Sequence, residues 1–440
     1  MLKRKAYEFL KSWKSSKDKE CLLIKGARQV GKTFITERFG ENEYDSFIEI
    51  NFLKEPELKQ IFNGSLEAEE ILKRITAFKP GHDLIPGKTL IFLDEIQKCS
   101  KARTALKFLA EDNRFDVIAS GSLLGLHYGS DADKEVEEIE SVPVGYESQY
   151  TMYSLDFEEY LWAYGYKQDT ISYLKSFFDS ESKVPDPVNE KFESLFREFM
   201  VVGGMPEAVA LFMATKDFNK VREVQNKILA AYDDDISNHA KKTEKPKIRK
   251  CYESLPNQLA RERKQFSYAQ VEKKTGARKY GDSIVWLCDS NLANICRNVS
   301  EPFIPLVGNE IDDEFKLYIN DTGLLMAKYG DNAKKLLLSN TLKGNAKGGI
   351  YENVIAESLV KNGYSLHYYK PGNNTQEIEF LIEKDMEVIP VEVKASNNSS
   401  VSLNNYIIKY APSKCYKLIN GNVGKNLNKL NIPHYMIIFV

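Results

Sequence analysis

The eight residues Gly26 to Thr33, GARQVGKT, constrain this chain more than any other stretch. They fit the spacing G-x-x-x-x-G-K-T. An apolar run, CLLIKG, precedes them and a helical pattern, KTFITERF, follows. Strand, glycine-rich loop and helix in that order make a phosphate cradle. Gly26 and Gly31 let the backbone curl so that its N–H groups face phosphate oxygens, and the helix N-terminus adds positive potential. Ala27, Arg28, Gln29 and Val30 complete the loop and Phe34 enters the helix, so all are expected beside the nucleotide. Lys32 is expected to reach the β- and γ-phosphates, and the Thr33 hydroxyl to ligate Mg²⁺.

The surrounding pattern agrees. DSFIEINF, TLIFLDE and FDVIASGS read as strands, separated by helical segments such as Leu66 to Phe78. Strands that are apolar along their whole length are covered on both faces, which implies a parallel sheet of an α/β fold. Asp94 ends one of them, where an unpaired carboxylate would be costly and a metal shell explains it. Glu95 follows and is expected to polarise an attacking water, which favours ATP hydrolysis over a small-molecule kinase. Ser120 and Ser122 end the next strand, where a hydroxyl could sense the γ-phosphate or simply fill a tight strand end.

Composition adds limits. With 440 residues, 42% hydrophobic and 28% charged, the chain has the makeup of an ordinary globular protein of two to four domains. No apolar run approaches the roughly 20 residues a membrane span needs, and the basic N-terminus reads as an amphipathic helix, so a cytoplasmic location without membrane contact is expected. Six scattered cysteines and five dispersed histidines suggest neither disulfides nor a zinc site. The net charge is −2, yet Lys241 to Arg297 carries 14 Lys/Arg against 6 Asp/Glu. The segment SDADKEVEEIE (130–140) reads as an acidic surface loop, and SNNSSVSLNN (396–405) as a polar loop. The expected division is a P-loop ATPase core at 1–155, a helical lid at 156–240, a winged helix at 241–330 and a C-terminal α/β domain at 331–440.

GARQVGKT, IFLDEIQK and SGS, with SVPVGYESQYTMYSLDFEEYL, GGMPEAV and YDDDIS, resemble the AAA-type ATPases of prokaryotes that carry a C-terminal module of unknown function. The resemblance implies ATP and Mg²⁺ as cofactors and a five-stranded core in the order 5-1-4-3-2. It also implies a lid whose Gly-x-Pro element, Gly204 and Pro206, meets the adenine. A glycine-proline helix break reads equally well there. Relatives carry an arginine right after the glycine before the last core strand; here Tyr146 stands in that place. Arg103 and Arg114 are the candidate substitutes.

In the basic block, Phe266, Tyr268, Val271, Gly276, Ile284, Leu287 and Leu292 fit helix, turn and helix. Lys273, Lys274, Arg278 and Lys279 cluster at the turn, a footprint for nucleic-acid phosphates or, alternatively, a solvated face. FKLYINDTGLL closes the module, with Asp321 as a turn or cap residue. Further on, Glu352 lies on a helix, Glu379 on a strand, and Glu392 with Lys394 on the next strand, IPVEVKAS. That order resembles the restriction-endonuclease-like superfamily. The resemblance implies Mg²⁺ or Mn²⁺ at Glu379 and Glu392, with Glu352 and Lys394 nearby. Glu379 stands where the superfamily has Asp. Metal-dependent cleavage and a degenerate domain that binds nucleic acid or a protein partner both stay open, as does a homo-oligomer.

Overall fold

The computed structural model describes residues 2–17, 19–123, 126, 145–372, 376–395 and 400–440. The acidic segment 130–140 lies outside these residues. An N-terminal helix, Lys5–Ser15, buries Ala6, Leu10 and Trp13, three residues spaced along one helical face. Five strands follow: β1 (Cys21–Gly26), β2 (Ser46–Asn51), β3 (Thr89–Asp94), β4 (Asp116–Ser122) and β5 (Glu147–Thr151). They form one sheet in the order β2-β3-β4-β1-β5, with every neighbouring pair parallel. This is the order expected from the resemblance. Alternate residues of one strand enter different cores: Leu90 and Phe92 face one side of the sheet, Ile91 and Leu93 the other. The second side is closed by helices Ala68–Phe78 and Ser100–Asp112. The first side opens into a core shared with the lid and the C-terminal region.

The lid is helical throughout, with Asp186–Val202, Pro206–Thr215 and Phe218–His239 as its main helices. The Gly203–Gly204 break separates the first two. A Cβ on Gly204 would lie 2.0 Å from the Leu155 carbonyl oxygen, so only glycine lets these backbones approach. The lid also grips the C-terminal region. Phe178 stacks on Tyr416 and Phe192 packs on Tyr435. Asn422 exchanges hydrogen bonds with both backbone groups of Val184.

The basic block folds as helices Lys245–Leu259, Tyr268–Val271 and Ala277–Asp289, then strands β6 (Ala293–Val299) and β7 (Glu310–Ile319). Phe266 stacks on Phe315, which ties the turn region to β7. The β6–β7 hairpin does not stand alone. It forms the edge of an eight-stranded mixed sheet ordered β12-β13-β11-β10-β9-β8-β6-β7. The others are β8 (Leu366–Tyr369), β9 (Ile378–Lys384), β10 (Glu387–Lys394), β11 (Cys415–Ile419), β12 (Gly424–Asn426) and β13 (Lys429–Pro433). Residues on both sides of position 330 thus share one sheet through the parallel pairing of β6 with β8. Of the polar loop expected at 396–405, residues 396–399 lie outside the described residues and 401–405 instead begin the helix Val401–Tyr410, which buries Leu403 and Tyr406. Two apolar residues three apart suffice to fix that short helix against the sheet.

Candidate functional site

The phosphate loop leaves β1 at the C-terminal end of the sheet. A Cβ on Gly26 would lie 2.2 Å from the Met152 carbonyl oxygen, and Gly31 has φ +95°, so both positions require glycine. Lys32 is buried and donates from Nζ to the carbonyls of Gly26 (3.1 Å) and Ala27 (2.9 Å). Burial lowers its ammonium to about 8, against the pull of Glu95 and Asp94. Asp94 is almost fully enclosed and receives neutral donors. Thr33 Oγ1 lies 3.1 and 3.2 Å from its two oxygens, Asn51 Nδ2 donates at 2.8 Å, and the Ser120 hydroxyl donates to Oδ1. Burial raises the Asp94 carboxyl above its ordinary value, which these hydroxyl donors oppose. Neutral donors around a buried carboxylate, with a threonine hydroxyl at hand, suit a divalent cation joined to phosphate. Glu95 sits half-buried with left-handed backbone (φ 56°), and its Oε2 accepts from Gln97 Nε2 at 2.5 Å.

Beside Gly31 lies a cavity of about 210 Å³ lined by Leu2, Arg4, Phe34, Ile35, Met152, Pro206 and Ala210. Its wall is almost wholly apolar and can take a flat group such as a nucleobase. Pro206 is on that wall. Gly204 is not: its N–H donates to Asp321 Oδ2 at 2.7 Å. Arg4 closes the site from the N-terminal segment. Its guanidinium donates to Val30 O, Tyr153 O and Glu159 Oε1 and so pins the phosphate loop to the lid. The positions named as arginine substitutes lie elsewhere. Tyr146 and Glu147 pair beside Cys21, at the start of β1, and Arg103 pairs with Glu147. Arg114 precedes β4 and pairs with Asp112 and Glu69. All three are at the end of the sheet opposite the phosphate loop, so none reaches the nucleotide of its own chain.

The C-terminal acids also converge, on different terms. β9 and β10 are antiparallel neighbours, as expected for a hairpin. β10 lies inside the sheet rather than at an edge, and Glu392 is fully buried. Lys394 Nζ lies 2.8 Å from Glu379 Oε1 and 3.4 Å from Glu392 Oε1. Glu352 is held by Lys264 at 2.7 Å, by Lys316 at 3.6 Å, and by the Tyr318 hydroxyl at 3.2 Å. Of these groups Glu352, Glu379, Lys264 and Lys394 line a charged cavity of about 500 Å³, together with Arg263, Lys370 and Glu377. Burial raises the Glu379 carboxyl to about 7; Lys394 opposes this, and Glu352 and Glu392 add to it. Among the described residues no group of three or more His, Cys, Asp or Glu is placed to hold a metal ion. Glu379 and Glu392, the expected metal pair, share the single Lys394 ammonium as counter-charge.

Family comparison addresses the first site. Residues 18–161 match the model described as AAA domain. The protein carries an AAA-type ATPase domain. Residues 193–335 and 347–435 match two further families, each described as Domain of unknown function (DUF8612 and DUF4143). A solved Walker-type ATPase of Pyrococcus abyssi is similar at 12% identity with a TM-score of 0.44, covering 75% of this chain and 96% of that one. No curated protein matches. Among the described residues no helix is long and apolar enough to cross a membrane.

The sequence reading missed several residues of the ATPase site. Asn51 was legible in principle: it ends an apolar strand, SFIEIN, as Asp94 ends TLIFLD, and the register sets the two side by side. Gln97 follows Glu95 by two residues. Leu2, Arg4, Met152 and Ala210 gave no local signal, since only tertiary packing brings them to the loop. Lys264 and Lys316 were invisible for the same reason.

Proposed function

We propose that the protein is an ATP-driven switch whose C-terminal half engages the backbone of a nucleic acid. In this reading Lys32 holds the β- and γ-phosphates, Thr33 and Asp94 hold Mg²⁺, and Glu95 orients the attacking water. Mg²⁺, when bound, neutralises charge on the phosphates. Pro206, Met152 and Ile35 enclose the adenine. The observation that carries the nucleic-acid part is the turn before helix Ala277–Asp289. Lys273, Lys274 and Arg278 there are all exposed. Lys279, by contrast, pairs with Glu272. Cations held out in solvent at a helix-turn-helix suit phosphate contact.

The charged cavity supports a second reading, metal-dependent cleavage. Both carboxylate oxygens of Glu392 are buried without a hydrogen-bond donor, although Lys394 lies within ion-pair range. Acceptors left in that state are coordination capacity, provided Lys394 moves off Glu379. One set of measurements tests both readings. Binding of single-stranded DNA, duplex DNA and RNA is followed against salt, for wild type and for Lys273→Ala/Lys274→Ala/Arg278→Ala, and cleavage is followed with Mg²⁺ and Mn²⁺. Affinity that falls with salt and with the triple substitution supports the first reading, and affinity that ignores both refutes it in favour of a protein partner. Cleavage lost in Glu392→Gln supports the second; absence of cleavage in wild type refutes it.

A further inference from the structure

The motif YDDDIS, at Tyr232 to Ser237 in the last lid helix, has no role in the site as described so far. The structure gives its third aspartate an unusual place. Asp235 is 2% exposed and its Oδ1 lies 2.7 Å from Nε of Arg28, a residue of the phosphate loop itself. The contact is an ion pair without hydrogen-bond alignment, since Oδ1 has no donor within hydrogen-bonding geometry. Lys32 and Glu95 lie within electrostatic range of Asp235, and Arg28 lies within that of Lys32. A lid carboxylate is therefore tied to the phosphate loop through the loop's own guanidinium, within electrostatic range of Lys32.

The geometry points to an Arg28–Asp235 latch that makes the lid read the γ-phosphate, with Asp235 as a positioning residue for the ATPase reaction. Two anions compete for Arg28. Without a γ-phosphate, Asp235 holds the guanidinium and the helix Phe218–His239 is drawn onto the loop. A γ-phosphate carries more negative charge, presents oxygens to the planar guanidinium fork, and takes Arg28 over. Asp235 then loses its counter-ion in a buried place, its hold on the loop is gone, and the helix loosens from the loop. ADP, one phosphate shorter, leaves the latch closed. Burial already raises the Asp235 carboxyl to about 6, with Arg28 opposing, so its charge in the closed state rests on that partner.

The helix has somewhere to transmit this. Tyr232, one turn before Asp235, receives the Asn320 side chain on its hydroxyl at 3.4 Å. The next residue, Asp321, accepts from the N–H of Gly204 and caps the helix Thr322–Tyr329. Movement of the lid helix therefore bears on the segment that leads from β7 into the C-terminal region.

Equilibrium binding of fluorescent ATP and ADP analogues to the full chain tests the latch without reference to turnover. Asp235→Asn keeps the side-chain shape and removes the competing charge. It is expected to tighten the ATP analogue about tenfold relative to the ADP analogue. Arg28→Gln, at a half-exposed position, is expected to narrow the ATP-over-ADP preference, and adding Asp235→Asn to it should then change nothing further. Amide exchange over residues 218–239 should rise with a non-hydrolysable ATP analogue and stay unchanged with ADP. A merely structural Asp235 would shift both affinities together. An ATP-to-ADP ratio unchanged in Asp235→Asn, or exchange that responds equally to the two nucleotides, overturns the latch. If Asp235→Asn does not fold, the Arg28→Gln ratio and the exchange measurement decide.

Discussion

The two carboxylate clusters of this chain, around Asp94 and around Glu379, are both buried, and they solve burial differently. Asp94 collects Thr33, Ser120 and Asn51, all neutral. Glu379, Glu392 and Glu352 are matched by Lys394, Lys264 and Lys316. Neutral donors orient a carboxylate and leave its charge in place. Ammonium groups discharge it in place. The same residue type at a strand end can thus be held by neutral donors or matched by ammonium groups, and only its neighbours tell which.

The largest expected effect is at the loop. Lys32→Ala should lower ATP hydrolysis by about 100-fold or more, because it removes the cation aimed at the charge that develops on the phosphates. A phosphate-release assay reads this, and the charged cavity should be untouched.

Stability comes next. Lys394→Met leaves two buried carboxylates without their counter-ion and should cost about 3–5 kcal/mol in urea unfolding. Asp94→Asn removes a charge that burial already disfavours and should change stability by about 1 kcal/mol or less. Equal losses in the two variants would erase the contrast between the clusters.

A third measurement uses pH. The folded Glu379 carboxyl is raised to about 7 from its ordinary 4.5. The folded state therefore binds the proton more tightly than the unfolded state. Its contribution is fully present below about 4.5 and is lost as pH rises through about 7. Stability of wild type relative to Glu379→Gln should fall across that window. A flat or rising difference would mean Lys394 outweighs burial.

The smallest effect on folding is expected from Lys273→Ala/Lys274→Ala/Arg278→Ala. These exposed residues should leave stability within about 0.5 kcal/mol. If all three touch phosphates, the slope of log affinity against log salt should become shallower by roughly 0.9 for each phosphate no longer neutralised.

The ATPase half was legible because its signals are local. One loop fixes two glycines, a lysine and a threonine by spacing, and each parallel strand announces itself as an apolar run. The C-terminal half was legible in part. The helix bearing Glu352 and the strands bearing Glu379 and Glu392 follow from periodicity, and Asp321, expected as a turn or cap residue, is the cap of the helix Thr322–Tyr329. Lys394 stands in the strand IPVEVKAS itself, but Lys264 and Lys316, which hold Glu352, come from a loop and a strand well before it in the chain, and no local pattern announces them. Ser120 shows the reverse case. Its position at a strand end follows from the sequence, yet its hydroxyl goes to Asp94, which depends on the neighbouring strand.

One helix, Asn345–Lys361, bears on how such a protein can change over generations. Glu352, near its middle, lines the charged cavity, while Lys361 at its end donates to Ser154 Oγ and to the Leu155 carbonyl, both 2.9 Å, beside the ATPase sheet. Glu357 between them accepts from both donors of Thr322. A recombination event that brought in a foreign C-terminal half would have to restore Lys361 and Glu357 in register, or leave Ser154 and Thr322 without these partners in a buried seam. The two halves are consequently expected to be inherited together, and a substitution on one face of this helix to be answered by another on its far end.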